Sequence, residues 1–573
     1  MAMKKRLLCL ALAAVSVFSC AFTGCVSGGT PPEPNPGGDI GNAISVDPLD
    51  LGEGFNKAYY PVKDKIEQRS GKIDVVIVFA GSEAGWQALA NEYSRLHGGA
   101  VAVVLNKKYS SGTYKDALKY EITNKNTDWD IVQGNIVTNL IGKYCLNMYP
   151  YINGKNGYAG NKSWSSVIEE DAYITDKSGT NTSTYIMNSE NLLTAWFVNK
   201  TALNAAAELG YRNKEGKAEN PVTWDDLISL CDYMQKAGYK NPLGVSINQE
   251  GINEYSFSWL LRVYGDYYFR NEYDGIMAND KSGFVYDPAS ENPENDINYG
   301  VDVTKLFNKI LYEKSDKYIG PKSAKFKEFV GQLGKMSPYF DAVNAKQASM
   351  EDLRNEFQTQ SSGKESPQIV LDYVGSGLEF LKSDKIETDF FDYPVMVSEG
   401  NYIPEGTIVR DVGGNGGYLS IIDHDAAQDA LNLDFMKFVM SPYGQSIYYD
   451  ALKDTNYTPK GLTLVKQKYV KVPEAWREFF QTDKVTFTGL VDSNEFIRNM
   501  VVSIGGQDVA DTKVKIYQNY LVGVGKDKID ADNLTSTWAS TLYDGWVKYA
   551  TQNGWSITCY KDPGHGTKHE VND

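Results

Sequence analysis

From about residue 72 onward, apolar residues along the chain follow two alternating rhythms. Short β-rich runs, Ile73–Phe79, Ala100–Leu105 and Asp130–Val132, are separated by segments whose apolar positions recur every three or four residues. Ser82–Leu96 sets Trp86, Leu89, Ala90, Tyr93 and Leu96 on one side. Thr113–Thr123 does the same with Tyr114, Ala117, Leu118 and Ile122. Alternation of this length predicts parallel strands joined by crossover helices, an α/β arrangement. Ligands of such sheets bind beyond the carboxyl ends of the strands. That rule brings Gly81, Ser82, Glu83 and Trp86, and then Gly134 and Asn135, to a candidate site. Trp86 is also in register with its helix's apolar stripe, so core and site both claim it.

A second α/β pattern opens at Trp196. The apolar run Trp196-Phe197-Val198 leads through Asn199-Lys200 into a helix that Gly210 ends. Thr223 and Asp226 stand at the N-cap and third positions of a further helix, nearly a capping box. Its apolar face is Trp224, Leu227, Ile228, Cys231 and Met234, and Gly238 marks its end. The pass that precedes it, Tyr185–Trp196, is strand-like but carries polar Ser189, Glu190 and Asn191. Those three suit either the floor of a cleft or an exposed loop. Later, Asp425–Met440 turns Ala427, Leu431, Phe435, Phe438 and Val439 inward. Ser441-Pro442 then starts another helix, and Trp538–Tyr549 supplies one near the C-terminus.

With 573 residues the chain can build two or more domains with sizeable cores. Its formal charge of −16 argues against nucleic acid as a partner. The N-terminus gives a compartment. Basic Met1–Arg6 and apolar Leu7–Phe22 read as a signal peptide, residues 1–24. Phe22-Thr23-Gly24-Cys25 resembles the lipobox of bacterial lipoproteins, which makes Cys25 the expected acylation site. Residues 25–70, rich in Gly, Pro, Ser and Asn at their start, read as a flexible tether. Cys145, Cys231 and Cys559 are widely spaced and give no metal pattern; Cys231 reads as core, and a Cys145–Cys559 pair stays open.

The segment from Trp196 to Leu227 closely resembles the family 1 extracellular solute-binding proteins of bacterial ABC transporters, the maltose-binding-protein group. There an aromatic–Asn–Lys–x–x–Leu/Phe stretch, a Gly and a Pro-x-Thr-Trp-Asp-Glu/Asp-Leu motif open the second lobe. A second match is Phe435-Met436-Lys437-Phe438-Val439-Met440-Ser441-Pro442-Tyr443-Gly444-Gln445 followed by Tyr457-Thr458-Pro459. The resemblance implies a two-lobed, type II periplasmic-binding-protein-like fold. Each lobe would hold a mainly parallel sheet flanked by helices, with hinge crossings between lobes. The expected division is residues 71–188 plus 375–425 for lobe 1 and 189–374 plus 426–562 for lobe 2, with a disordered tail at 563–573. Segments 282–345 and 462–532 fit that plan least and read as elaborations.

The resemblance also nominates ligand contacts. Gln249–Tyr273 is similar to the family's aromatic–small–Trp segment, whose Trp stacks on a sugar ring, so Trp259 and its neighbour Tyr255 become candidates. A flat ring covers the C–H face of a sugar, and planar polar groups pair with its hydroxyl rim. Ile369–Gly377 matches the return strand that faces the cleft, which nominates Asp372 and Tyr373. These replace the usual small or apolar residues and leave the sugar's identity open. The Gly-rich run Val412–Ile421 lets backbone approach a ligand, adds Asn415, and lacks the Lys of a phosphate loop. The expected ligand set is therefore Glu83, Trp86, Asn135, Glu190, Tyr255, Trp259, Asp372, Tyr373 and Asn415.

No catalytic residue, metal ligand or cofactor is expected. His97, His424, His565 and His569 form no triad or metal spacing, and the Asp- and Asn-rich loops do not match a calcium loop. The expected partners are a carbohydrate, the transmembrane permease subunits of an ABC transporter and, through the lipid, the outer face of the cell membrane; the chain is expected to be a monomer. Two rivals stay open: an extracellular carbohydrate-active enzyme using paired carboxylates, and a surface adhesin.

Overall fold

The computed structural model describes residues 42–77, 82–107, 129–133, 141–169, 172–178, 181–273, 318–412, 418–455, 461–480 and 507–552, with a few single positions between them. Strands β1 (Gly71–Ile77), β2 (Val101–Lys107), β3 (Ile131–Gln133), β4 (Tyr173–Ser178) and β5 (Asn181–Asn188) belong to one sheet. Short β6 (Glu190–Leu192) follows, then β7 (Thr194–Asn199), β8 (Leu243–Gly244), β9 (Ile369–Tyr373) and β10 (Thr388–Phe391). Strands β11 (Gly414–Asn415), β12 (Tyr418–Ile421) and β13 (Leu462–Thr463) follow, and Lys155–Asn156 pairs with Lys162–Ser163 as a small separate ladder. The first sheet runs β2-β1-β3-β12-β5-β4 and the second β8-β9-β7-β10, while β11-β6-β13 form a small ribbon.

Parallel pairing is confined to β2-β1-β3 and to β8-β9; the remaining ladders of the two large sheets are antiparallel. The expectation of mainly parallel sheets is thus corrected to mixed ones. Parallel strands need crossover helices, as α1 (Glu83–Leu96) provides between β1 and β2. Strands that carry the chain between sheets return in the opposite sense instead. The pass through Tyr185–Trp196 does this within a few residues: β5 lies in the first sheet and β7 in the second.

Two large apolar cores form, one on one face of the second sheet and one on the first sheet that also takes Phe197, Val370 and Phe390 from the second sheet's other face. Trp196, Trp224, Leu227, Tyr264 and Phe329 lie in the core of the second sheet. That of the first gathers Ile73, Val75, Trp86, Tyr93, Phe438 and Tyr443. Helices α2 (Lys200–Glu208) and α3 (Trp224–Lys236) form where their periodicity predicts. Thr223 accepts from the Asp226 amide and the Asp226 side chain accepts from the Thr223 amide, a complete capping box. Gly210 at φ 107° and Gly238 at φ 95° end the two helices in a conformation that costs other residues energy. Helices α4 (Gln249–Asn253), α5 (Phe257–Tyr273), α6 (Ala324–Gly334) and α7 (Met350–Thr359) follow. Helices α8 (Ala426–Val439), α9 (Pro442–Leu452), α10 (Gln507–Val522) and α11 (Ala531–Gln552) complete the described helices used below. Among the described residues no helix is long and apolar enough to cross a membrane.

Three segments sit differently from their expected places. Residues 42–70 are packed rather than a tether: Ile44, Phe55 and Ile66 are buried in the first core. Their backbone is fastened too, Ile44 N to Ile66 O at 3.1 Å and Gln68 N to Asn42 O at 2.8 Å. Sparse apolar residues in a polar stretch suffice because they dock on a core built by others. Helices α8 and α9, expected with the second lobe, bury Leu431, Phe435, Phe438 and Ile447 in the first core. Conversely, β10 pairs with β7 of the second sheet, and Phe391, Tyr393, Met396 and Val412 join the second core. Of the two elaborated segments, α6 and α10 enlarge that core through Phe329 and Ile516, and α11, which follows them, adds Trp538. Cys145 is free and buried, as is Cys231; Cys559, Cys25 and the tail 563–573 lie outside the described residues.

Candidate functional site

The chain's pass from first sheet to second is the place to build from. Ribbon strand β6 is flanked by β11 and β13, with Asn415 opposite Asn191 and Thr463 opposite Glu190. Two residues beyond it, Thr194 is held at three points. Its amide donates to Asp411 Oδ2 at 2.7 Å and its hydroxyl to Asp411 Oδ1 at 3.0 Å, with Tyr393 Oη 2.6 Å away. The crossing is therefore pinned on its far side, and an aromatic group gathers at each end.

The first group surrounds Glu190, whose side chain is buried. Tyr448 of α9 donates a hydrogen bond to its carboxylate and accepts one from Ser82, at the start of α1. Burial raises the Glu190 carboxyl from 4.5 to about 7, and the Tyr448 bond offsets only part of that. At neutral pH the group is poised to donate or to accept. Trp86 meets the Tyr448 ring edge-on at 6.4 Å. Gly85 makes this approach possible, because a Cβ there would lie 2.4 Å from the Tyr448 ring. The charges of Glu190 and Glu83 both bear on half-buried Tyr457, whose hydroxyl is pushed above its ordinary range chiefly by burial. Trp86 is 3% exposed and its indole N–H is buried with no hydrogen-bond partner. It packs as core, and its donor is unmet among the described residues.

The second group lies where α4 turns into α5. Ser256 takes φ 52° there, held by the Ser246 amide donating to its Oγ at 2.8 Å. The turn presents half-buried Tyr255 and, one turn of helix later, Trp259. Tyr255 and Trp259 meet edge-on at 6.3 Å, and Trp259 meets Tyr373 edge-on at 4.9 Å. Tyr373 pairs with Thr194 across β9 and β7. Glu190 lies four residues before Thr194, so the groups are separated by about 13 Å of extended strand.

Asp372 is corrected. Both its carboxylate oxygens are taken by Arg354 of α7, at 2.5 and 2.7 Å, with Ser376 Oγ and the Tyr373 amide completing its shell. At 1% exposure it holds β9 to α7 and turns nothing toward a ligand. Asn135 lies outside the described residues, and of Asn415 only the backbone position, paired to β6, is described. Tyr448 and Tyr457, which join the first group here, are not among the ligand contacts that the sequence nominates; Tyr457 enters there only within a motif. An open depression of about 450 Å³ lined by Ser337, Tyr520, Lys528 and Asn533 shares no residue with either group.

Neither a protein-family profile nor a curated protein sequence matches the chain. Solved structures do match. A family 1 extracellular solute-binding protein from Bifidobacterium longum subsp. infantis aligns over 82% of this chain and 98% of its own, at 14% identity and a TM-score of 0.50. The cyclic alpha-maltosyl-1,6-maltose binding protein from Arthrobacter globiformis aligns over 84% of this chain and 100% of its own, at 12% identity and a TM-score of 0.50. Two sheets joined by short crossings and matched over nearly the whole of those proteins give this chain the two-lobed fold of the family 1 extracellular solute-binding proteins.

Proposed function

We propose that the chain is an extracellular solute-binding lipoprotein that captures a carbohydrate between its two lobes and delivers it to an ABC permease. The observation that carries this reading is the pair of aromatic groups at either end of the crossing segment. Trp86, Tyr448 and Tyr457 surround a poised carboxyl at one end, and Tyr255, Trp259 and Tyr373 cluster at the other. Rings of this kind cover the apolar face of a sugar, while Glu83 and Glu190 are suited to its hydroxyls. The Arthrobacter protein of the same fold binds a cyclic maltosyl-maltose, a ligand of this class. Closure of two lobes on a sugar needs only that the closed form bind it better, and a permease would then read the closed shape. Acylation at Cys25 would hold the protein at the outer face of the cell membrane.

A second reading has one observation in its favour. The charges of two carboxyls, Glu83 and Glu190, reach a common tyrosine, Tyr457, and the latter carboxyl is raised toward the range of a general acid. One experiment separates the two. The signal-free protein is heated with neutral mono- and oligosaccharides, and the same mixtures are assayed for cleavage. A rise in melting temperature with intact sugar supports the receptor, since a ligand bound only by the native state stabilises it. Released sugar supports the enzyme, and silence across the panel removes both. Membrane partition of the full-length protein, lost in Cys25→Ala, tests the anchor.

A further inference from the structure

Helix α10 packs across α4 and the start of α5, on the side of the Tyr255–Trp259–Tyr373 group. Gln518 Nε2 donates to the Ile247 carbonyl at 2.9 Å, and Tyr517 lies 5.6 Å from the Phe257 ring. The buried face of α10 carries Val509, Ile516 and Tyr517, and in the same stripe stands Lys513. Its exposure is 0%, and Nζ has no hydrogen-bond partner. Two more polar atoms in this layer are in the same condition, the Tyr517 hydroxyl and Asn253 Oδ1.

A buried lysine is ordinarily matched by an acid. Here the charge that bears on Lys513 is that of Arg262, of like sign, and burial with this repulsion drives the ammonium well below its ordinary range. Arg262 is fixed from below: Nε donates to Ser258 Oγ at 3.2 Å and a terminal nitrogen to the Glu254 carbonyl. It is also the link to the aromatic group, because its charge acts on Tyr255 and on Tyr373. Arg262 thus lies within electrostatic reach of Lys513 on one side and of Tyr255 and Tyr373 on the other.

We propose that Lys513 and Arg262 form a subsite for an anionic substituent, a carboxylate or sulfate, on the carbohydrate held against Tyr255, Trp259 and Tyr373. The inference rests on the carbohydrate-binding reading and narrows it to acidic glycans. An oxyanion there supplies Lys513 with the counter-charge that the described residues around it lack, and a charge-assisted hydrogen bond in a desolvated place outweighs one at the surface. The neutral hydroxyl of an ordinary sugar would give Lys513 no charge against which to hold its proton.

The test is calorimetric titration of the signal-free full chain with three probes: trigalacturonic acid, its carboxyl-reduced neutral counterpart and a sulfated disaccharide. At least one acidic probe is expected to bind about tenfold or more tightly than the neutral one. Which acidic probe wins separates carboxylate from sulfate. Lys513→Met, close in shape and at home among Ile516 and Tyr517, is expected to abolish that preference while leaving affinity for the neutral probe unchanged. Equal binding of acidic and neutral probes by the wild-type chain overturns the subsite without touching the carbohydrate reading. So does a Lys513→Met chain that keeps the acidic preference. Binding of none of the three, nor of any neutral sugar, overturns both. The wild-type comparison needs no variant, so poor folding of Lys513→Met leaves the test intact.

Discussion

Glu190 and Asp372 are both buried acids on short strands next to the crossing, and the sequence offered both as ligand contacts. Their surroundings differ in kind. Asp372 is clamped by both arms of Arg354 and by two further donors, so its oxygens are fully satisfied inside the protein. Glu190 has a tyrosine hydroxyl and, among the described residues, no cation on which its charge rests, and its carboxyl rises to about 7. A buried acid with a fixed counter-ion holds elements together. One without is a strain on the fold that a ligand can relieve, which is why such groups gather at sites. Residue type and burial are the same in the two places; the counter-ion decides.

The largest way to break this contrast is to take the counter-ion from Asp372. Arg354→Met strands a buried carboxylate, and urea denaturation is expected to show a loss of about 3–5 kcal/mol. Replacing both partners, Arg354→Met with Asp372→Leu, is expected to recover most of it. A recovery of nothing would mean that the pair does more than fasten β9 to α7. Next comes pH. The folded-state value of Glu190, about 7, lies above the ordinary 4.5, so the folded protein keeps a proton that the unfolded chain releases. Its contribution is fully present below pH 4.5 and is lost as pH rises through 7, on the order of 3 kcal/mol in all. Glu190→Gln should therefore be more stable than the wild type at pH 8 and show a flatter pH–stability curve between those values. An unchanged curve would place the carboxyl in contact with water.

Smaller effects sharpen the binding side. Tyr255→Ala removes a half-buried ring and is expected to weaken binding of a bound sugar by about 1–2 kcal/mol, read by calorimetry, with little loss of melting temperature. Smallest is Tyr448→Phe, which removes the single donor to Glu190 while keeping the ring against Trp86. It should cost about 1 kcal/mol at neutral pH and push the Glu190 carboxyl still higher, followed by NMR titration.

Local features were legible in the chain to the extent that local chemistry makes them. Helix α3, its capping box and the glycine that ends it can be read from Thr223 to Gly238, because every group involved lies within one or two turns. Strand β1, helix α1 and strand β2 follow from periodicity for the same reason. The pairing of Arg354 with Asp372 joins a helix to a strand 18 residues away, and no spacing rule announces it. The placement of α8 and α9 on the first sheet depends on which core had room for Phe435 and Phe438, again a long-range matter. Glu190 was visible as an acid in an apolar pass. Lys513 was visible too, as a lysine in register with Val509, Ile516 and Tyr517, a signal read only once its burial was known. Tyr448 could not be told from its neighbours, since α9 carries Tyr443, Tyr448 and Tyr449 alike.

The docking of residues 42–70 on the first core changes how far such a receptor can roam. With acyl chains on Cys25, as proposed, the leash is the stretch from there to Asn42, 17 residues, and not the 46 that composition suggests. Pulled straight it spans about 60 Å at most. If the proposed function holds, a permease is met within that radius, and an artificial version begun at residue 71 would lose Ile44, Phe55 and Ile66 from its interior along with the proposed mooring.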